Sequence, residues 1–318
     1  MKLTVRAVTY TPDTPIATAW GTLTKRETLR VRVDFPDGLH GEGEAAPLEP
    51  YDGVSLAAVQ AALDAYAHVL AHSKPTDDLL AACKAERDLP QALAAIDLAL
   101  WDHASKRTNL PLAKLIDPRA VGSVNVNATI GAADRATAAR AAAEATSDGF
   151  RCLKVKVGIG DDAGRLAAIR AAVGPDVLIR VDANGAWSTP GEALANLRRL
   201  HPIGIELCEE PIHGVDALRV VARDSPIPIA MDETNAPASG ATPLVCLKIS
   251  RGGISQVLAD ARAARGEVYL ASTFDGPLGL AAAVHTAAAL RIERHCGLTP
   301  LSGPRKPVLA VPSVPGLA

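Results

Sequence analysis

Lysines and acidic residues in this chain stand where short hydrophobic runs end. Runs of this length are typical of buried parallel strands, and α/β barrels keep their chemistry at the C-terminal ends of such strands. The motifs, in chain order, are CLKVKVG with Lys154 and Lys156, VLIRVDANG with Asp182, IELCEEP with Glu209, IAMDET with Asp232 and VCLKIS with Lys248. Three acids suit a divalent cation, and lysine-bearing strands flank them in sequence order. The set therefore outlines a metal-assisted acid/base site.

Alternation along each strand predicts that these groups share one interior. Neighbouring side chains on a strand point to opposite faces, so Lys154 and Lys156 share a side while Val155 faces the other way, toward helices. The same rule turns Asp182 and Asn184 inward. Applied to the remaining motifs, it also turns inward Glu209, Asp232 and Lys248. We therefore expect all of these groups to meet at the mouth of one barrel.

The converging charges predict a Mg²⁺ site beside a proton-transfer base. Buried carboxylates repel one another and lose solvation, which a hard cation with oxygen ligands relieves. A lysine near a divalent ion has a lowered pKa, so its neutral amine becomes available as a base. The natural use is proton abstraction next to a carboxylate, with the metal holding the enediolate oxygens. The adjacent acids Glu210 and Glu233 are expected to be caps or salt-bridge partners instead.

Two different patterns along the chain indicate the elements that position the site. Residues 1–50 alternate as strands with a hairpin turn at Asp37-Gly38, and helical spacing follows at 54–72 and 89–106. These features predict an α+β domain over residues 1–120. Residues 121–300 then alternate strands with alanine-rich helical segments, which is typical of a (β/α)₈-type barrel. The expected barrel strands are 123–130, 151–157, 177–183, 204–209, 227–232, 244–250, 267–272 and 292–297.

One connection in the barrel is too short for a helix. The stretch between Asp232 and Lys248 contains two prolines, a glycine and small polar residues, most of them within 233–243. We therefore expect the helix after strand 5 to be reduced to a turn. The proline-rich tail, 301–318, is expected to return over the surface toward the first domain.

Bulk composition excludes several classes of function. The chain has 318 residues, 48% of them hydrophobic and 21% charged, with a net charge of −2 and mixed signs. This argues against nucleic-acid binding and against an anionic membrane surface. Five scattered cysteines and an N-terminus without an apolar signal core predict a cytoplasmic protein with reduced thiols. A homo-oligomer is compatible with the sequence.

The ordered motifs resemble the enolase superfamily, in its muconate-lactonizing subgroup. The matching segments are KVKVG, RVDANGAW, CEEP, MDET, LKISRGGIS, GEGEAAP at 41–47 and the stretch 94–112. The resemblance implies a Mg²⁺ enzyme, with Mn²⁺ as a substitute, whose residues 1–120 cap the barrel mouth. It implies metal ligands at Asp182, Glu209 and Asp232. It further makes Lys156 the acid/base, with Lys154 supporting it and Lys248 on the opposite face of the substrate.

The last strand ends resemble those of o-succinylbenzoate synthases. ASTFDGPLGL at 271–280 and RHCGLTP at 294–300 carry the similarity. It implies syn-dehydration of a cyclohexadiene carboxylate in menaquinone biosynthesis, with Lys156 removing the α-proton and then protonating the departing hydroxide. Lining the far end of the pocket we expect Ser272, Asp275 and Gly297. The expected partner is thus a small-molecule carboxylate.

Other activities fit the same motifs. LKISRGGIS is also common in dipeptide epimerases, N-acylamino acid racemases and muconate cycloisomerases, which use the same two lysines. A Schiff-base aldolase and a non-catalytic binding protein are further alternatives. A mandelate-racemase-type His base is not expected, and surface or loop positions are predicted for His201, His213, His285 and His295. The specificity loop of the first domain is expected at Thr11 to Thr22, which contains no cationic residue.

Overall fold

An antiparallel sheet covered by helices forms the first part of the chain. The structure, a computed structural model, describes residues 1–18 and 21–317. The sheet has the order β1–β4–β5, and β2 pairs with β3 as a separate hairpin. The strands are β1 (Lys2–Tyr10), β2 (Ile16–Thr18), β3 (Gly21–Leu23), β4 (Arg26–Asp34) and β5 (His40–Ala45). The helices are α1 (Glu49–Asp52), α2 (Leu56–His72), α3 (Leu79–Glu86), α4 (Pro90–Thr108) and α5 (Leu112–Ile116).

Two glycines let strand β5 lie directly on helix α4. A Cβ atom at Gly41 would stand 1.8 Å from the carbonyl oxygen of Ala99, and one at Gly43 would stand 2.0 Å from that of Ala95. No side chain fits such gaps, which explains the glycine spacing of GEGEAAP. Tyr66, on α2, is fully buried in the apolar core between this sheet and its helices.

A curled parallel sheet forms the second part of the chain. Its order is β13–β12–β11–β10–β9–β8–β7, so consecutive strands are neighbours. Its strands are β7 (Ala128–Ile130), β8 (Cys152–Lys156), β9 (Leu178–Asp182), β10 (Ile205–Glu209), β11 (Ile229–Met231), β12 (Leu244–Leu247) and β13 (Glu267–Leu270). Strand β6 (Ser123–Asn125) precedes them and lies outside this sheet. The helices are α6 (Arg135–Ser147), α7 (Asp162–Val173), α8 (Pro190–Leu200), α9 (Val215–Asp224), α10 (Gly253–Ala263) and α11 (Pro277–Ala289).

The barrel departs from eight full strands at its seam. The segment expected as a strand at 292–297 makes only isolated bridges, from Cys296 to Val126 and from Gly297 to Ala271. The chain turns just before this segment, where Arg291 adopts a φ of 53°, and within it the Arg294 side chain is held by Glu206 at 2.9 Å. The sheet is thus a curled parallel sheet whose two edges this segment joins. The expected strand 123–130 is likewise divided into β6 and β7.

The predicted reduction after the fifth barrel strand is confirmed. Between β11 and β12 the chain forms only a 3₁₀ turn, Pro237–Ser239, where other crossovers carry a full helix. Other short 3₁₀ segments are His201–Ile203 and Ile249–Arg251. The fold class, a (β/α)₈-type barrel with an N-terminal α+β cap, is therefore confirmed, with the seam as its departure from regularity.

The C-terminal tail connects the two parts of the molecule. Strand β14 (Val308–Ala310) pairs antiparallel with β6. Beyond it, the backbone N–H of Gly316 donates to Ser105 Oγ at 2.9 Å, and that of Leu317 donates to Asp102 Oδ1 at 2.7 Å, both on α4. The tail is thereby fixed at both ends. None of the helices within residues 1–18 and 21–317 has the length and hydrophobicity needed to cross a membrane.

Candidate active site

The three acids expected as metal ligands lie side by side and are almost fully buried. In the strand register Asp182 stands opposite Glu209, and Glu209 stands opposite Ala230, two residues before Asp232. Their exposed fractions are 1%, 0% and 2%, respectively. The parallel strand ends therefore bring together side chains that are distant in sequence, as the alternation rule predicts.

The two lysines of strand β8 contact these acids directly. Lys154 Nζ lies 2.6 Å from Glu209 Oε1 and 2.9 Å from Asp182 Oδ2, so it bridges two carboxylates. Lys156 Nζ lies 2.7 Å from Asp182 Oδ2 and 2.6 Å from Asn184 Oδ1. Asn184 adopts a φ of 45°, which suits asparagine better than most residues. Lys154 is therefore buried among its partners, while Lys156 has more access to solvent.

On the other side of the acids lies a second cationic group. Lys248 Nζ donates to both oxygens of Asp232, at 2.6 and 2.5 Å. Arg251 Nη2 lies 3.0 Å from Asp232 Oδ1 and donates to the hydroxyl oxygen of Tyr51 at 2.6 Å. Tyr51 comes from helix α1, so the first domain contributes a side chain to the barrel mouth.

Sheet order separates the two catalytic candidates. Lys156 ends β8, and Lys248 follows β12, with β9, β10 and β11 between them. Both lysines line one cavity of about 630 Å³. Because the sheet is curled, groups four strands apart face each other across its mouth, with the acids between them.

The opposite parity faces the helices, as predicted. Val155, Val181, Cys208 and Met231 all belong to one buried apolar cluster that includes Leu166 of helix α7. Their packing leaves the alternate positions on each strand to the barrel interior. The cysteines that the sequence scatters along the chain are all free and buried.

Burial and ion pairing act against each other on the acids. Burial alone would raise the pKa of Asp182 and of Asp232, but Lys154 and Lys248, respectively, outweigh it, and both pKa values lie well below the usual range. The pKa of Glu209 is raised, because burial prevails there over Lys154. Burial also raises the pKa of Glu233 to about 8. The acids thus differ in how completely their charge is compensated.

The lysine pKa values differ from the expected fall. Burial lowers the pKa of Lys154, but the carboxylates of Asp182 and Glu209 raise it well above the usual value. The same competition, with Asp232 as the main carboxylate, raises the pKa of Lys248. The expected fall requires a cation near the lysines, whereas carboxylates are their nearest charges here.

The donor chemistry of the site fits a hard divalent cation. Its converging ligand atoms are carboxylate oxygens, the type that Mg²⁺ prefers. A further carboxylate oxygen, Glu233 Oε2, is buried and has no hydrogen-bond partner within residues 1–18 and 21–317. Such an acceptor suits a cation or a water bound to it. The sulfur of Cys246 lies with the oxygens of Glu209 and Asp232 in a group whose atoms are within 4.8 Å of one another.

Glu210 fixes the end of strand β11 from outside the barrel. Its Oε2 accepts the backbone N–H of Asp232 at 2.7 Å, and its Oε1 accepts the backbone N–H of Thr234 at 2.9 Å and His213 Nδ1 at 3.1 Å. Glu210 itself adopts a φ of 38°. Its expected role as a neighbour rather than a ligand agrees with these contacts, whereas Glu233 turns toward Asn184 of the site, at 2.9 Å.

The residues expected to line the substrate pocket divide into two groups. Ser272 and Gly297 line the cavity, but Asp275 is buried outside its lining. There Thr273 Oγ1 donates to Asp275 Oδ1 at 3.2 Å, behind the cavity wall. Arg26 holds this segment by donating to the carbonyl oxygen of Phe274 at 2.9 Å. The prediction for Asp275 is corrected because these contacts keep its carboxylate behind the wall.

The cavity rim comes from the first domain and the tail. Residues of the expected specificity loop line it at 12–16 and at Thr18, while positions 19 and 20 of that loop lie outside the described residues. The tail side of the rim consists of Thr299, Pro300, Leu301, Gly303 and Arg305. The backbone N–H of Gly303 donates to Asp13 Oδ2 at 2.6 Å, which joins the two sides.

Several residues of the site have no role in the sequence interpretation. Tyr51, Arg251, Tyr269 and Arg305 belong to this group, and the Tyr269 hydroxyl donates to Glu209 Oε2 at 2.8 Å. Arg251 carries a local signal, since it lies three residues after Lys248 within LKISRGG. One histidine also corrects the sequence interpretation: His285 is fully buried in α11, and burial lowers its pKa to about 4.

Known proteins are similar to this chain over most of their length. The L-Ala-D/L-Glu epimerase of Bacillus subtilis (strain 168) is 30% identical over 303 residues, covering 87% of this chain and 81% of the relative. Muconate cycloisomerase 1 of Pseudomonas putida is 29% identical and covers 87% and 80%, respectively. A crystal structure of the dipeptide epimerase from Enterococcus faecalis V583, complexed with Mg and the dipeptide L-Leu-L-Tyr, matches with a TM-score of 0.90 and 27% identity, covering 99% of this chain and 98% of that one.

These names shift the balance between the expected activities. They are those of two epimerases and a cycloisomerase, so they favour the alternative reading over dehydration of the o-succinylbenzoate synthase type. Family descriptions cover both parts of the chain: residues 1–117 match the mandelate racemase/muconate lactonizing enzyme N-terminal domain, and residues 136–314 match the enolase C-terminal domain-like family. With a capped barrel and both descriptions matched in order, the chain belongs to the mandelate racemase/muconate lactonizing enzyme family of the enolase superfamily.

Proposed function

We propose that this chain is a Mg²⁺-dependent epimerase or racemase that inverts the α-carbon of a dipeptide or an N-acylated amino acid. The observation that carries the proposal is the pair Lys156 and Lys248, which line one cavity from opposite sides of the curled sheet. Inversion needs a proton removed from one face of a carbon and another delivered to the opposite face. Two amines facing each other across a cavity meet that requirement.

The metal would be held by Asp182, Glu209 and Asp232. When bound, Mg²⁺ supplies positive charge for the carboxylate of the substrate, which makes the adjacent C–H bond more acidic. The close approach of Glu209 and Asp232, whose carboxylate oxygens lie within 4.8 Å of each other, supports this assignment, as does Glu233 Oε2, which has no hydrogen-bond partner among the described residues. Mn²⁺, which takes similar oxygen ligands, is the expected substitute.

The two lysines exchange roles between the two directions of the reaction. In one direction the neutral amine of Lys156 takes the α-proton, and the ammonium of Lys248 gives a proton to the opposite face of the same carbon. In the other direction Lys248 takes the proton and Lys156 gives one. One C–H bond breaks and one forms, so no cosubstrate is required. Asn184, whose Oδ1 lies 2.6 Å from Lys156 Nζ, orients that amine.

Lys154 has a supporting role in this proposal. Its Nζ contacts both Asp182 and Glu209, and burial restricts the movement of the side chain. It therefore offsets the repulsion between two adjacent carboxylates. Tyr269 donates to the other oxygen of Glu209 and thereby restrains the same carboxylate.

A cycloisomerase is the second candidate, because the Pseudomonas putida relative is similar over 87% of this chain. Cycloisomerisation needs one lysine to deliver or remove a proton next to the carboxylate, so one functional lysine suffices. Dehydration of the o-succinylbenzoate type likewise needs one lysine for both proton transfers. The loss pattern of single lysine variants therefore separates inversion from both.

Deuterium exchange tests the proposal directly. The purified protein with Mg²⁺ in D₂O is expected to incorporate deuterium at the α-carbon of L-dipeptides or N-acyl-L-amino acids, measured by ¹H NMR, while circular dichroism follows loss of optical activity. EDTA is expected to abolish both signals, and Mg²⁺ to restore them. Exchange accompanied by loss of water would instead indicate the dehydratase, and exchange accompanied by lactone formation the cycloisomerase.

Single lysine variants sharpen the test. Lys156→Ala is expected to abolish exchange that starts from one enantiomer, and Lys248→Ala exchange that starts from the other, since each removes one of the two bases. Treatment with borohydride and a carbonyl substrate tests the Schiff-base alternative, and we expect it to trap no covalent adduct on either lysine. A matched control is Lys306→Ala, because Lys306 is an exposed lysine outside the cavity lining. If both active-site variants lose exchange from the same enantiomer only, the two-base assignment is wrong.

A further inference from the structure

We propose that Arg305 binds a second anionic group of the substrate, at the end remote from the catalytic lysines. The inference rests on the proposed function, because that function places the reacting carboxylate at the strand ends. It narrows the substrate class to N-acyl amino acids or dipeptides that carry a further carboxylate.

The backbone on both sides of Arg305 is anchored. Before it, Leu301 is buried and the N–H of Gly303 donates to Asp13 Oδ2 at 2.6 Å. After it, the carbonyl oxygen of Pro307 accepts the N–H of Val126 at 2.9 Å, and β14 pairs with β6. The position of Arg305 on the rim is therefore set by contacts to two other segments, the loop with Asp13 and the stretch 123–126. An anchor placed in this way loses little backbone freedom when it binds a ligand.

Arg305 differs from the other cations of the cavity in having no partner. Lys154, Lys156 and Lys248 each contact a buried carboxylate. Within the described part of the chain, Arg305 makes no hydrogen bond or ion pair, and it is exposed at the rim. A guanidinium binds a carboxylate through two parallel N–H donors. An unpaired arginine that lines a ligand cavity is thus suited to an anionic substrate group.

Apart from Arg305 and Asp13, much of the rim is apolar. Pro12, Pro15, Ile16, Pro300 and Leu301 contribute to it. The floor of the cavity is formed by the strand-end residues Asp182, Asp232, Lys154, Lys156 and Lys248. Apolar rim residues beside Arg305, above this charged floor, suit a short carbon chain with a charged group at each end. The acidic rim residue Asp13 is already engaged by Gly303, so it offers less to a cationic substrate group.

The lysine next to Arg305 provides a matched control. Lys306 is exposed and carries the same charge one position along the chain, but it does not line the cavity. A general effect of tail charge on substrate attraction changes with either residue. A specific contact changes only with Arg305.

The test compares an acid with its uncharged amide in two substrate pairs. The pairs are L-Ala-L-Glu against L-Ala-L-Gln, and N-succinyl-L-alanine against its terminal amide. For the pair that is turned over, wild type is expected to favour the acid by 10-fold or more in kcat/KM. Arg305→Ala is expected to raise KM for the acid by roughly 10-fold or more, as the loss of a charged hydrogen bond predicts. We expect kcat for the acid, and both kcat and KM for the amide, to stay almost unchanged. Arg305→Lys is expected to restore part of the preference, and Lys306→Ala to leave it intact.

Calorimetric binding separates this proposal from the proposed function. Titration of the Mg²⁺-loaded protein with the same acids and amides reports the Kd ratio whether or not they are turned over. If wild type binds the acid more tightly than the amide, Arg305→Ala does not, and no deuterium exchange occurs, then Arg305 is the anionic-group site but the proposed epimerase function is wrong. If Arg305→Ala weakens acid and amide equally, if wild type favours the amide, or if no acid binds, the anchor is wrong. Unchanged melting temperatures in all three variants exclude unfolding as the cause.

Discussion

The floor and the rim of the cavity are built in opposite ways. On the floor, every charged group has partners within hydrogen-bond distance: Asp182 touches two lysines, and Asp232 touches Lys248 and Arg251. On the rim, a hydrogen bond joins Asp13 of the cap to Gly303 of the tail, and Arg305 is unpaired among the described residues. The floor is therefore set by the fold itself, while the rim is set by two connecting segments.

This difference separates the chemistry from the choice of substrate. Strand ends cannot move without disturbing the sheet, so groups placed there keep a fixed geometry for proton transfer. Loops and tails tolerate substitution, so the groups that they carry can differ among relatives that share one mechanism. We expect floor variants to lower kcat for every substrate and rim variants to change KM for some substrates only.

The largest effect is expected from Lys248→Ala. Removal of a positioned acid/base lowers the rate by about 10² to 10⁴-fold, and here it also leaves Asp232 with one cationic neighbour fewer. We expect kcat to fall at least about 10³-fold on every acid and amide substrate that the wild type turns over, with KM changed much less. Steady-state kinetics on both acid and amide substrates measures this. An effect confined to acidic substrates would place Lys248 functionally with the rim.

The sequence predicts the floor well because its signals are local. Each strand-end acid or lysine sits in a contiguous motif, and strand alternation fixes the direction of its side chain. Tyr51 and Asp232 lie 181 positions apart and meet only because helix α1 covers the barrel mouth. Local patterns contain no such pairing. The same limit applies to Arg305, which reaches the rim only through the pairing of β14 with β6.

Two local patterns predict the wrong structure because tertiary contacts override them. Residues 292–297 read as a strand, yet only single bridges form there, and the Arg294 side chain is drawn to Glu206 at 2.9 Å. The resemblance of residues 271–280 to o-succinylbenzoate synthases implies that Asp275 lines the pocket. The hydrogen bonds of Arg26 to this segment and of Thr273 to Asp275 bury its carboxylate instead.

A smaller loss is expected from a residue that supports the floor without touching the cavity. Glu210→Gln replaces one of two carboxylate oxygens with an NH₂ group, so either the N–H of Asp232 or that of Thr234 loses its acceptor. A buried donor left unsatisfied costs about 1–3 kcal/mol. We expect kcat/KM to fall roughly 10- to 100-fold on all substrates, with a higher Mg²⁺ requirement.

His213→Ala is the matched control for Glu210→Gln. His213 contacts the same carboxylate at 3.1 Å but its side chain is 56% exposed, so its loss is expected to change kcat/KM by less than about threefold. Activity measured over a Mg²⁺ titration checks both variants. If Glu210→Gln matches wild type at all Mg²⁺ concentrations, the strand end does not depend on this carboxylate.

Glu44 is expected to affect stability rather than catalysis. It is buried between cap and barrel, where its Oε1 accepts the N–H of Gly276 at 2.6 Å, and burial followed by the nearby Asp275 raises its pKa from 4.5 to about 7. Because folding favours the protonated form, the stabilisation is full below pH 4.5 and is lost as pH rises through about 7. Other charged or titratable groups around it are Arg26 and Tyr10.

Glu44→Gln is expected to flatten this pH dependence. For the wild type, the unfolding free energy is expected to fall by on the order of 3 kcal/mol as pH rises from below 4.5 to above about 7. Urea denaturation from pH 5 to pH 8 measures it. A variant whose stability falls with pH as steeply as that of wild type would show that another group titrates. Glu42→Gln, on the same strand but half-buried, is the control.

The smallest effect is expected where the rim is held by a single contact. Asp13→Ala removes the acceptor of the Gly303 N–H, which joins the cap loop to the tail. An exposed hydrogen bond to a charged group stabilises by about 1 kcal/mol or less, so we expect KM to rise by about two- to fivefold with kcat unchanged. Because Gly303 positions Arg305 through the tail, the rise should be larger for acidic substrates than for their amides. Equal increases for both would mean that the link closes the rim without positioning Arg305, and a fall in kcat for both would remove the separation between floor and rim.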